Sequence, residues 1–177
     1  MTPEPNKPDA APKARPVPEG YHTVTPWIIS RDTAQLLDFV KEAFGAEELA
    51  RVYVETGAIG HAEFRIGDSI VMAFDAKEEW PDTPSFLRLY VEDGDAVHQQ
   101  ALRAGATSVT EMTNMHWGDR VGRVRDPLGN LWWIHARIED VDPEEMERRA
   151  GEQEYIDAMR YVTSAQFFPP DRLRTRQ

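Results

Sequence analysis

The chain has 177 residues, of which 41% are hydrophobic and 29% charged, a composition typical of one globular domain or two small modules. It contains no cysteine, which excludes a disulfide scaffold, a cysteine-ligated metal centre and a cysteine nucleophile. The formal net charge of −11 argues against a nucleic-acid partner, because such proteins present a basic face to phosphates. An acidic balance favours cationic or neutral small ligands instead.

Residues 1–20 contain six of the 13 prolines, and Val17 is their only large aliphatic residue after Met1. Such a segment buries too little apolar surface to offset its ordering entropy, so a disordered, partly polyproline-II tail is predicted, with a docking arm as the alternative. No apolar run approaches the roughly 20 residues that span a bilayer. The N-terminus also lacks an apolar signal segment, so we expect a cytoplasmic protein without membrane contact.

The chain from Tyr21 onwards predicts a strand, a helix and three further strands. The helix has Asp32 as its N-cap, Gln35 at the capping-box position and Gly45 as its stop. The dipeptide Gly67-Asp68 is a hairpin-turn signal between the last two strands. The predicted strands are residues 23–30, 48–55, 59–67 and 69–76.

The same order of elements then recurs. A helix is predicted within residues 94–106, and the strands are residues 85–93, 107–114, 119–126 and 131–137. Three pairs of residues each lie 61 positions apart, namely Thr25 and Phe86, Asp32 and Asp93, and Met72 and Trp133. A repeat of this length predicts two βαβββ modules, at about 21–80 and 81–137, each too thin to be stable alone.

Residues 138–177 form a predicted helical extension outside the repeat. Asp142 is the expected N-cap, Pro143 the first helical residue, and one helix is expected to continue to about Val162 with Gly151 as a weak point. An apolar stripe on this helix should pack on the body of the protein or on a partner; its members are Tyr155, Met159 and Val162. The last residues, 167–177, are expected to be irregular.

Three segments carry a family resemblance: HAEFRIGDS at 61–69, GDRVGRVRDPLGNLWWIH at 118–135 and EDVDPEEMERR at 139–149. With the paired modules, they resemble the vicinal-oxygen-chelate superfamily of glyoxalases, bleomycin-resistance proteins and dioxygenases, and most closely its PhnB-like branch. The resemblance covers roughly residues 22–149. It implies an α+β fold in which two βαβββ modules form a curved mixed sheet around a cleft, here with an added C-terminal helix.

The resemblance also locates the superfamily's usual divalent-metal site. Its four ligand positions correspond to Thr25, Met72, Phe86 and Trp133. None of these offers a histidine nitrogen or a carboxylate, which a hard or borderline divalent cation needs. We therefore expect neither a metal nor another cofactor, and glyoxalase or dioxygenase chemistry cannot be transferred.

Strand alternation predicts which side chains face the cleft. A ligand-binding wall is expected from Trp27, His61, Glu63, Met72, Phe74, Phe86, Arg88, Tyr90, Trp133 and His135. The opposite faces carry an apolar set that should pack under the helices: Val24, Ile28, Ala62, Phe64, Ile66, Val71, Ala73, Leu87, Leu89, Val91 and Ile134. His98, in a helix among glutamines, is predicted to be exposed. Aromatic walls with sparse polar groups are typical of an organic-ligand pocket.

His61 and Glu63 share one face of one strand, and three roles remain open for them. Glu63 can be a general base with a pKa raised by aromatic surroundings. The pair can supply part of a metal site, with a third donor from His22, His116 or His135. Alternatively, Glu63 neutralises Arg65 or Arg88 in an ion pair.

Two functions follow as hypotheses. The first is a metal-independent protein that binds a small cationic or aromatic molecule, in the manner of the bleomycin-resistance members. The alternative is a PhnB-like lyase or isomerase that uses Glu63 or His61 as acid or base. Members with one pair of modules commonly dimerise, often building each cleft from two chains. We expect a homodimer with the C-terminal segment at the interface; the alternative is a segment that folds back on its own chain.

Overall fold

The computed structural model describes residues 14–168 and contains two successive strand–helix–three-strand units and two further helices. The first unit comprises β1 (Trp27–Ser30), α1 (Thr33–Phe44), β2 (Glu47–Tyr53), β3 (Ile59–Ile66) and β4 (Ser69–Asp75). The second comprises β5 (Phe86–Tyr90), α2 (Gly94–Arg103), β6 (Thr107–Asn114), β7 (Asp119–Arg125) and β8 (Leu131–Arg137). The last helices are α3 (Pro143–Ala150) and α4 (Gln153–Thr163). The predicted α+β fold of two βαβββ modules is confirmed.

Each unit forms its own four-stranded mixed sheet. Sheet 1 has the order β1-β4-β3-β2 and sheet 2 the order β5-β8-β7-β6, and in each the first strand is parallel to its neighbour. Trp27 lies opposite Met72 in sheet 1, and Arg88 lies opposite Trp133 in sheet 2. Both members of the second pair follow those of the first by 61 residues, so the sequence repeat is also a repeat of strand register.

The two repeated helices begin at equivalent aspartates. Asp32 Oδ1 accepts a hydrogen bond from the backbone N–H of Gln35 at 2.9 Å, and Asp93 Oδ1 accepts one from Ala96 at the same distance. Such caps satisfy backbone donors that the first helical turn leaves unpaired. α1 ends at Gly45, whose φ of 65° is the left-handed conformation that glycine adopts without strain.

The apolar faces of both sheets and of α1 and α2 join in one core. Phe64 and Trp132 are completely buried in it, and the ring of Phe44 in α1 lies 4.8 Å from that of Trp132 in sheet 2. Most of the predicted apolar set packs here. Val24 is the exception, because β1 begins only after Pro26 and leaves the Val24 side chain 80% exposed.

His98 was wrongly predicted to be exposed. Its residue is only 1% exposed, and its Nε2 lies 3.2 Å from the backbone oxygen of Thr110. The flanking glutamines suggested a polar helix face, but α2 packs on sheet 2 at this position.

The C-terminal extension differs from the predicted single helix. Asp142 and Pro143 start α3 as predicted, but the helix ends at Gly151, where glycine costs helical stability, and α4 follows as a separate helix. α4 packs on sheet 2 of its own chain, where Val162 is 3% exposed beside Met115 and Val121. This is the alternative of a segment that folds back.

Residues 1–13 of the predicted tail and residues 169–177 lie outside the described residues, while residues 14–20 are exposed and contain neither helix nor strand. None of the helices described has both the length and the apolar character needed to cross a membrane.

Candidate functional site

The predicted ligand-binding residues lie in two groups, one on each sheet. Sheet 1 carries Trp27, His61, Glu63, Met72 and Phe74, and sheet 2 carries Phe86, Arg88, Tyr90, Trp133 and His135. Between residues 14 and 168, no hydrogen bond or ring contact joins one group to the other. The residues predicted to line one cleft therefore form two separate clusters, one in each module.

The sheet 1 cluster is centred on Trp27. Its ring lies 5.2 Å from Phe74 in an edge-on arrangement and 6.3 Å from the ring of His61, while the Trp27 residue is 53% exposed. Phe74 also contacts the ring of Trp80 edge-on at 6.1 Å. Edge-on aromatic pairs hold their rings in defined orientations, so this cluster presents an exposed aromatic surface.

Glu63 connects this surface to a chain of hydrogen bonds. Tyr21 Oη donates to Glu63 Oε2 at 2.6 Å, and His61 Nε2 lies 2.8 Å from Glu63 Oε1. Hydrogen bonds from Tyr21 and then His61 lower the pKa of Glu63, so the expected raised pKa is wrong. The ion pair expected with Arg65 or Arg88 is absent too, since the described contacts of Glu63 are Tyr21 and His61. Tyr21 was not predicted as a site residue, because it precedes the first strand.

The lowered pKa of Glu63 predicts a pH-dependent contribution to stability. A depressed folded pKa stabilises the protein above the unfolded value of about 4.5, and this stabilisation is lost as the pH falls through the folded pKa. We therefore expect Glu63→Gln to lower the free energy of unfolding at neutral pH, and this difference from wild type to shrink below about pH 4.5. Urea unfolding across this pH range measures it.

Glu55→Gln is the matched control, because it removes the same charge from an exposed residue for which the structure shows no hydrogen-bond partner. A Glu63→Gln penalty that stays constant from neutral to acidic pH would contradict the assigned hydrogen bonds.

Sheet 2 carries a row of three side chains across β7, β8 and β5. Strand register places Arg123 opposite Trp133, and Trp133 opposite Arg88. The Cζ atoms of Arg123 and Arg88 lie 3.9 and 4.8 Å from the centre of the Trp133 ring. Arg123 was not predicted, although alternation along β7 places it on the face opposite to the buried Val124.

His135 lies beside this row. Its Nδ1 is 3.1 Å from Asp119 Oδ2, and its ring lies 5.2 Å from Tyr90 and 5.3 Å from Trp133. Burial lowers the pKa of His135, although its hydrogen bond to Asp119 opposes the shift, so the imidazole is neutral at pH 7. A carboxylate only accepts, so Nδ1 carries the proton and Nε2 remains a buried acceptor without a described partner.

A cavity of about 320 Å³ opens at the Arg–Trp–Arg row. Phe86 and Phe167 supply further aromatic walls, with their rings 6.1 Å apart and edge-on. Phe167 belongs to the segment after α4, so the C-terminal extension forms one side of the cavity. Its size falls within the range of small-molecule pockets, and aromatic walls with few polar groups suit an organic ligand.

The superfamily's metal positions do not fit a divalent cation in this chain. Thr25 directs its hydroxyl to the backbone oxygen of His22 at 3.3 Å, and Met72, Phe86 and Trp133 offer no oxygen or basic nitrogen. Across the described part of the chain, no three histidine, aspartate or glutamate side chains gather at distances suited to a metal, so His61 and Glu63 have no third donor among these residues.

A family model, "Glyoxalase/Bleomycin resistance protein/Dioxygenase superfamily", matches residues 21–134. The chain belongs to this superfamily. A Mycobacterium tuberculosis relative, "Uncharacterized protein Rv0887c" of strain H37Rv, is 36% identical over an alignment of 141 residues that covers 73% of this chain and 83% of the relative.

Two solved structures illustrate the fold of the superfamily. TioX from Micromonospora sp. ML1 is similar with a TM-score of 0.55 and 25% identity, over 68% of this chain and 100% of TioX. A PhnB protein from Bacillus cereus is similar with a TM-score of 0.53 and 17% identity, over 65% of this chain and 99% of that protein. The second likeness concerns the fold alone.

Proposed function

We propose that this superfamily member binds a small aromatic molecule, without a metal at the superfamily's usual positions. The observation that carries the proposal is the 320 Å³ cavity walled by Phe86, Trp133 and Phe167. Aromatic walls supply affinity through buried apolar area, and the few polar groups orient the ligand. The residues at the superfamily's metal positions offer neither a histidine nitrogen nor a carboxylate, which supports binding through the aromatic walls instead.

A homodimer would complete the cleft. β1 and β5 are edge strands that share no contact within the chain, and the exposed fractions of Trp27, Phe86 and Tyr90 are 53, 55 and 62%. Exposed aromatic side chains on open sheet edges favour association. In the proposed dimer, sheet 1 of one chain lies opposite sheet 2 of the second copy, so each cleft uses both clusters.

Acid–base catalysis of the PhnB-like lyase or isomerase type is a second candidate function. The Tyr21–Glu63–His61 chain of hydrogen bonds favours it, because an anionic Glu63 orients the His61 imidazole. In this arrangement His61 is the candidate base, and Glu63, whose pKa is lowered, is the positioning residue.

Binding of the neutral probe 2-naphthamide, measured by calorimetry, tests the proposal. We expect Phe86→Ala to weaken binding by about tenfold, since this aromatic wall is lost. Tyr53→Ala is the control, because Tyr53 is a 59% exposed aromatic residue on β2 that does not line the cavity. Cyclohexanecarboxamide should bind more weakly than the aromatic amide.

Mixed dimers distinguish a shared cleft from one within a chain. Trp27→Ala and Phe86→Ala impair opposite sheets, so a mixed dimer of the two variants contains one cleft with both faces intact. Mixing the two variants should therefore restore part of the binding, and light scattering should report a dimer. A monodisperse monomer, or no restoration, would contradict the dimer. Chemical conversion of a probe to a product, if this conversion is lost when Glu63 is substituted, would favour the catalytic alternative instead.

A further inference from the structure

Arg123 is a buried cation without a counter-ion in the described chain. The residue is 5% exposed, its Nη1 donates to the backbone oxygen of Val162 at 2.7 Å, and its Nε has no partner. It stacks on Trp133 at 3.9 Å and on Phe167 at 5.2 Å. Aromatic stacking and one carbonyl stabilise a guanidinium only in part, because a buried charge normally needs an opposite charge beside it.

Arg88 places a second positive charge on the same cavity. Arg88 is exposed, and its Cζ atom lies 4.8 Å from the centre of the Trp133 ring. It forms no ion pair with a described residue. Burial and the charge of Arg88 lower the pKa of Arg123, although a guanidinium in a protein stays protonated. Two cations that repel each other across one ring leave a net positive field in the cavity.

No carboxylate of the described residues forms an ion pair with Arg88 or Arg123. Asp119 is hydrogen-bonded to His135 and lies 3.9 Å from Arg137 Nη1 instead. Trp133 Nε1 is a further buried donor without a described partner, so the row offers donors from all three of its side chains.

We infer that the cavity at the Arg88–Trp133–Arg123 row is an anion subsite that takes the carboxylate of a small aromatic acid. This inference rests on the proposed function and specifies its ligand class. The aromatic part of the ligand packs against Phe86 and Phe167, while the carboxylate accepts charge-assisted hydrogen bonds from the guanidinium groups.

The net charge of −11 does not oppose this assignment. At physiological ionic strength, charges farther than about 8 Å are largely screened, so the nearest groups decide the sign of charge that a site accepts. The expectation of a cationic ligand came from the whole chain, whereas the cavity contains two guanidinium groups.

Three probes of nearly equal shape test the charge preference: 2-naphthoate, 2-naphthamide and 2-naphthamidine. Calorimetry on the full chain should show 2-naphthoate binding about tenfold or more tightly than 2-naphthamide, with 2-naphthamidine weakest. Arg88→Gln and Arg123→Gln should each reduce this preference for the anion, and Arg88→Gln should do so without disturbing the fold because Arg88 is exposed. Arg103→Gln, at the exposed end of α2, removes the same charge away from the cavity and should retain the preference.

Equal affinity for the acid and the amide, or tighter binding of the amidine, would overturn the anion subsite while leaving the proposed aromatic-ligand function in place. If Arg103→Gln reduces the preference for the anion as much as Arg88→Gln does, the anion subsite would also be overturned, because the preference would then reflect overall charge. If none of the three probes binds, both the subsite and the proposed function fail.

Discussion

Trp132→Ala is expected to lower the free energy of unfolding by about 3–5 kcal/mol, the usual cost of removing a large core aromatic. Trp132 is completely buried, packs 4.8 Å from the ring of Phe44 and donates its indole N–H to Asp126 Oδ2 at 3.0 Å. The substitution therefore leaves a cavity between α1 and sheet 2 and removes one of the two side-chain hydrogen bonds that Asp126 Oδ2 accepts. Chemical denaturation measures the change.

The neighbouring Trp133→Ala is the matched comparison. Trp133 points to the opposite face of β8, where it separates Arg88 from Arg123 and lines the cavity. We expect a smaller loss of stability than for Trp132→Ala, together with a loss of about tenfold or more in 2-naphthamide affinity. Similar stability losses and unchanged binding in both variants would contradict the assignment of opposite faces.

Asp126→Ala should lower the free energy of unfolding by about 3–5 kcal/mol, because it leaves several buried donors without an acceptor. Asp126 is 3% exposed, and its two oxygens accept from the backbone of Leu128 and Asn130, from Asn130 Nδ2 and from Trp132 Nε1, at 2.8–3.0 Å. Asn130 Oδ1 in turn accepts from the backbone of Ser85 at 3.0 Å, directly before β5. This carboxylate thus holds the turn before β8 and connects it to the start of β5.

Asp126→Asn keeps the shape of the side chain but removes its charge and one of its two acceptor oxygens. Its amide group faces donors with donors of its own, so we expect an intermediate loss. Asp68→Ala in the exposed hairpin turn of the first module should change the free energy of unfolding by no more than about 0.5 kcal/mol. Equal stability of Asp126→Ala and Asp68→Ala would refute the role of the buried carboxylate.

Local signals in the sequence were sufficient for the elements of the two modules and for the repeat. Asp32 and Asp93 cap their helices, and strand alternation assigns the face of each side chain, because both depend on residues close in the chain. The same alternation assigned the aromatic side chains to one cleft wall, and the structure separates them into two clusters.

Contacts between distant segments decided the chemistry of the site, and local patterns do not contain them. Tyr21 reaches Glu63 across 42 residues and lowers its pKa, where aromatic neighbours alone predicted a raised one. Arg123 is held by Val162, 39 residues away in α4, which the sequence could place only on the body of the protein or on a partner. Alternation determines the face on which a side chain lies, but only packing determines its partners. The sequence alone therefore predicted the aromatic faces with Arg88 and Glu63 on them, and only the tertiary structure brought Arg123 onto Trp133 and Tyr21 onto Glu63.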